Sequence, residues 1–142
     1  MLIAKLTQLN DAIERVDAKR PASIEQLLAD RDLQDIITKN LERAVQVSID
    51  IATHLATMNG FVPTTSAQSF RMLADADELD RDLAAAMSKA VGFRNVSVHD
   101  YVAIDWRIVM HVANAGLDDI KAFGRRAKDL VSAAAPPPPG RR

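Results

Sequence analysis

The chain has 142 residues, of which 48% are apolar and 4% aromatic, with a formal net charge of −1 and no cysteine. A chain of this length makes one domain whose core needs no covalent staples, and the missing thiols exclude disulfides, thiol chemistry and a cysteine zinc site. Near-neutral charge excludes nucleic-acid binding by bulk electrostatics, so an RNA target would have to meet a local basic cleft.

In residues 2 to 18, Leu2, Leu6, Leu9, Ile13 and Val16 recur at steps of four and three, which predicts one amphipathic helix. Its apolar residues are interrupted by polar ones, unlike a secretory leader, and no later run approaches the roughly 20 apolar residues of a membrane span. A cytoplasmic protein without membrane contact is expected. Arg20-Pro21 ends the helix, and Ser23 with Gln26 reads as a capping box opening a short helix over 24 to 29. A long helix follows from about Arg31 to Met58, with Leu33, Ile37, Leu41, Ala44, Ser48, Ile51 and Leu55 as its core stripe. On a neighbouring face Asp50 and His54 stand one turn apart, within hydrogen-bonding reach. They are either a surface pair or interhelical contact, or an accessory group that supports a cleft or grips RNA. Two such residues alone do not make a metal site.

Gly60 to Ser66 reads as a loop, 67 to 74 as a short helix, and the acidic stretch Asp75 to Asp82 as a turn with Asp80 capping the next helix. That helix carries Leu83, Met87, Ala90 and Val91 inward. After Tyr101, Asp105 caps a final helix to about Val131, whose seam runs through Val109, Ala113, Gly116, Ile120, Phe123, Ala127 and Leu130. Gly116 costs about 1 kcal/mol there relative to Ala, so a neighbouring backbone comes close or the helix bends. Trp106 reads as core or dimer contact ahead of a base-stacking platform, and His111 as a solvent or interface residue. Arg125, Arg126 and Lys128 suit a helix C-terminus, and could also face RNA phosphate. From Ala133 the prolines cannot continue a helix, giving a domain over 1–132 and a disordered tail over 133–142. The fold class is all-α: an antiparallel bundle of four main helices with short ones between them.

The chemistry is concentrated in Phe93-Arg94-Asn95-Val96-Ser97-Val98-His99-Asp100-Tyr101. Arginine presents a rigid, permanently charged fork that suits phosphate oxygens, and histidine can both take and give a proton near neutral pH. Together they suffice to cleave RNA without metal, because the ribose 2′-hydroxyl is the nucleophile. The spacing is a difficulty: at about 100° per residue, Arg94 and His99 on one straight helix stand roughly 140° apart, whereas Arg94 and Tyr101 nearly eclipse. Either the helix breaks near Gly92 to Asn95, or a second copy of the chain completes the site; both are expected.

Arg94, four residues, His99, one residue and Tyr101, with Asn95 after the arginine, resembles the signature of the HEPN ribonucleases, particularly the HepT toxins of MntA/HepT toxin–antitoxin pairs. The leading amphipathic helix, the run from Leu41 through Ala52, the Ser69 to Ala74 segment and the Val91 to Asn95 approach resemble that family too, so the likeness covers about residues 1 to 132. The resemblance implies a HEPN-like dimeric fold and an endoribonuclease toxin needing no metal and no cofactor, with Arg94 and His99 as the catalytic pair in a cleft between protomers. It implies Asn95 as a supporting residue, and Tyr101 as the residue that a minimal nucleotidyltransferase antitoxin modifies with AMP.

Two alternatives remain at this level. A non-catalytic HEPN binding module would partner the nucleotidyltransferase without cutting RNA. In a purely structural bundle, Arg94 would pair with a carboxylate, His99 would be a satisfied interhelical residue and Tyr101 half core.

Overall fold

The computed structural model describes residues 1–134. Seven α-helices occur among them: α1 (Leu2–Lys19), α2 (Ile24–Ala29), α3 (Arg31–Met58), α4 (Ser66–Asp75), α5 (Arg81–His99), α6 (Trp106–His111) and α7 (Leu117–Ala134). A 3-10 turn (Tyr101–Ala103) follows α5, and a π turn (Val112–Gly116) joins α6 to α7. The long helices α1, α3, α5 and α7 are the four main members of an all-α antiparallel bundle, as the periodicity predicts. No helix among the described residues is long and apolar enough to cross a membrane.

Helix α3 is the centre: α1, α4, α5 and α7 all pack on it. Every member of its predicted stripe is buried, including Ser48, whose hydroxyl donates back to the Ala44 carbonyl and so needs no outside partner. From the other side α4 and α7 close the core, with Phe70 and Phe123 meeting edge to face at 5.3 Å. Burying a Leu, Ile or Phe of this kind contributes about 1.5–3 kcal/mol.

The helix starts follow the local chemistry. Ser23, Asp30, Thr65, Asp80 and Asp105 each accept a backbone N–H with the side chain at the start of the following helix. The box at Ser23 is offset by one residue, since Gln26 reaches back to the Ala22 N–H. Asp77 supplies the left-handed turn, at φ 58°, that separates α4 from α5.

Two expectations need correction. The final helix is interrupted: the chain passes through the π turn, and a Cβ added to Gly116 would stand 3.2 Å from Val112 Cγ1. The glycine therefore answers to its own widened turn, not to a neighbouring helix. The predicted break at Gly92 to Asn95 is also absent, since α5 runs unbroken to His99. Met87, Ala90, Val91 and Ser97 are buried on one side of it, and this packing outweighs the local cost of Gly92, beside which a Cβ would meet nothing within 4 Å. At the other end, α7 includes Ala133 and Ala134, two residues past the expected domain boundary; the rest of the expected tail lies outside the described residues.

Candidate active site at the end of helix α5

The last two turns of α5 carry the motif. Asp80 opens the helix by accepting the N–H groups of Asp82 and Leu83, and Asp100 closes it, donating its N–H to the Val96 carbonyl. In between, Ser97 is the buried residue of the motif. Its hydroxyl donates to Glu42 of α3, which ties the end of α5 to the central helix.

Arg94 is half-buried, and one terminal nitrogen of its guanidinium donates to Asn95 Oδ1 at 3.2 Å. Its Nε is buried without a partner. Among the described residues no carboxylate lies within ion-pairing distance of Arg94, which removes the structural reading in which it serves as half of a salt bridge. Asn95 and His99 are exposed, and His99 is the last residue of the helix. Because α5 is unbroken, Arg94 and His99 keep their separation of about 140° around the axis and about 7.5 Å along it. The two residues therefore leave the helix axis in different directions within one protomer.

Tyr101 departs from the expected alignment. The helix ends at His99, Asp100 adopts φ −147° and ψ 71°, and Tyr101 starts a 3-10 turn, so it does not eclipse Arg94. Its ring meets Trp106 edge-on at 5.9 Å, and its hydroxyl donates to Asp35 Oδ1 of α3 at 2.9 Å. Partial burial of the phenol and this bond to Asp35 raise its pKa above the ordinary 10.0, since both disfavour the phenolate. Tyr101 remains 44% exposed.

Asp50 and His54 stand elsewhere. Asp50 accepts from Lys5 Nζ at 3.0 Å and from Gln46 at 2.9 Å, so it links α1 to α3 and forms no hydrogen bond with His54. The groove they line, with Met1, Lys5 and Thr57, includes neither Arg94 nor His99. His111 is exposed on a larger apolar groove of about 670 Å³ between α5 and α6, walled by Phe93, Val96, Ile104 and Ile108; Arg94, His99 and Tyr101 take no part in it. Arg126 donates to the Glu78 carbonyl at 2.7 Å, a packing role, while Arg125 and Lys128 are exposed.

Sequence reasoning did not single out Asp35, Glu42 or Ser97. The available signal is on α3: Asp35, Thr38 and Glu42 follow at steps of three and four, a polar row beside the apolar stripe.

Known proteins share this sequence pattern and fold. The model of the family described as ribonuclease HepT-like matches residues 9–127. The mRNA nuclease HepT of Shewanella oneidensis is 32% identical over 124 residues, which cover 87% of this chain and 92% of the relative. A tri-AMPylated Shewanella oneidensis HEPN toxin, solved in complex with its MNT antitoxin, superposes with a TM-score of 0.81 at 32% identity, covering 93% of this chain and 96% of that one. A toxin–antitoxin structure with AMP-PNP gives the same TM-score at 31% identity, covering 89% and 96%. With most of its length matched by the family model and by a relative of this identity, the chain belongs to the ribonuclease HepT-like family.

Proposed function

We propose that this chain is a metal-independent endoribonuclease toxin that acts as a homodimer in the cytoplasm, and that a cognate minimal nucleotidyltransferase antitoxin silences it by adding AMP to Tyr101. The observation that carries the reading is the last part of α5, where Arg94 has no carboxylate partner and a buried Nε–H without an acceptor, and where the same helix ends on the exposed His99. The similarity to a relative named as an mRNA nuclease supports it.

The two groups have separate tasks. His99 takes the proton from a ribose 2′-hydroxyl, or gives one to the departing 5′-oxygen. The 2′-oxygen bonds to phosphorus as the phosphorus–5′-oxygen bond breaks, leaving a cyclic or 3′-phosphate and a 5′-hydroxyl. Arg94, oriented by Asn95, donates to the phosphate oxygens as their charge grows. The separation of Arg94 from His99 on one straight helix is bridged by a second copy, whose own helix end completes a composite cleft. AMP on Tyr101, two residues beyond His99, places a phosphate where the RNA phosphate must sit, and like charges repel.

The test incubates purified protein with mixed RNA in excess chelator, beside His99→Ala and Arg94→Ala prepared identically. Cleavage by the wild type alone, with the stated ends, supports the reading. An active His99→Ala protein overturns the mechanism. If the wild type neither cuts nor carries AMP on Tyr101, the binding-module reading replaces it.

A further inference from the structure

The hydroxyl of Tyr101 is already engaged within its own chain. It donates to Asp35, 66 positions earlier, and Trp106 supports the ring from the side. Asp35 is exposed on α3 and, among the described residues, forms no ion pair with any Lys or Arg. Its carboxylate is therefore directed at the one proton that must leave if the tyrosine oxygen is to become a nucleophile.

The surroundings leave room for a second reactant. Tyr101 and Asp35 share the wall of an open cavity of about 490 Å³ with Ile36, Thr38, Lys39, Asn40 and Glu42, the last of which accepts from Ser97. Lys39 there is exposed and makes no ion pair among the described residues. Its ammonium group suits a phosphate of a nucleotide.

We propose that Asp35 accepts the Tyr101 hydroxyl proton as that oxygen attacks the α-phosphorus of a nucleoside triphosphate held by the antitoxin, so that the toxin supplies the base for its own modification. The inference rests on the reading of Tyr101 as the modified residue. The oxygen–phosphorus bond forms while the O–H bond breaks toward Asp35. The bond from the α-phosphorus to the bridging oxygen breaks, pyrophosphate leaves with its electron pair, and Asp35 later returns the proton to water. Free phenolate is scarce here, because both the setting of the ring and the neighbouring carboxylate favour the neutral hydroxyl. The proton must therefore leave as the new bond forms, the task that a carboxylate performs on the substrate hydroxyl in protein kinases.

The experiment mixes the full chain with its nucleotidyltransferase, ATP and magnesium, and follows AMP on Tyr101 by intact mass and fragment localisation. Wild type is compared with Asp35→Asn, which keeps an acceptor of the same shape but takes no proton, and with Asp35→Glu. The expected result is a loss of about 10²- to 10⁴-fold in the turnover rate for Asp35→Asn. KM for ATP and for the toxin should stay unchanged, and Asp35→Glu should recover part of the rate. Melting curves check the fold, and Asp35→Ser repeats the test should the Asn variant not fold. Modification of Asp35→Asn within about threefold of the wild-type rate overturns the role of Asp35 and leaves Tyr101 as the target. An absence of AMP on wild-type Tyr101 overturns both readings.

Discussion

The unbroken course of α5 makes a quantitative prediction about which copies share a site. With Arg94 and His99 about 140° and 7.5 Å apart on one unbroken helix, the proposed composite cleft pairs Arg94 of one protomer with His99 of its partner. Either single substitution in a homodimer then destroys both sites, and each should lower the rate by about 10²- to 10⁴-fold. A heterodimer of one Arg94→Ala protomer and one His99→Ala protomer behaves differently. One of its two sites contains both substitutions and the other contains neither. Purified through two different affinity tags, it should cleave a fluorescent RNA in chelator at about half the wild-type rate, as two-fold symmetry requires. If the pair instead worked within one chain, each site of the heterodimer would lack one group. A heterodimer no more active than the two single-variant homodimers, at matched melting temperatures, would refute the shared site.

Other consequences concern the frame that holds α5. Phe70→Ala removes a fully buried ring that meets Phe123 at 5.3 Å, and should cost about 3–5 kcal/mol in denaturant unfolding. Gly116→Ala adds a methyl group 3.2 Å from Val112 Cγ1, so the crowding should exceed the gain in helix propensity and destabilise by about 1 kcal/mol. The effect should vanish in a Val112→Ala background. Asp17 joins α1 to α7 through Lys121 at 2.7 Å and also bonds Arg20 at 2.6 Å; the Lys121 bond foremost holds its pKa below the ordinary 3.8. A carboxylate with a lowered folded pKa adds stability that is fully present above pH 3.8 and is lost as the pH falls through the folded value. Asp17→Asn should therefore cost up to about 1 kcal/mol near pH 7, since the groups are partly exposed, and its unfolding midpoint should approach the wild-type value in acid.

The bundle and the motif were legible for the same reason: both are local. A helix repeats every 3.6 residues, so the stripes from Leu33 to Leu55 and from Leu2 to Val16 appear directly in the order of residues, and caps such as Asp80 and Asp105 act within three positions. The pattern from Arg94 to Tyr101 could be read because its chemistry depends on residue type and short spacing. The sequence by itself therefore determined an all-α chain with one chemically loaded stretch.

Tertiary structure alone decided how that stretch is held. Gly92 favours a break by its local propensity, yet the burial of Met87, Val91 and Ser97 keeps α5 straight, and that straightness separates Arg94 from His99. Asp50 turned from His54 one turn away to Lys5, 45 positions off, because the packing of α1 on α3 brings the ammonium group to it. Glu42 meets Ser97 across 55 positions and Asp35 meets Tyr101 across 66. Contacts at such separations depend on which helix faces lie together, a property that no short window of residues contains.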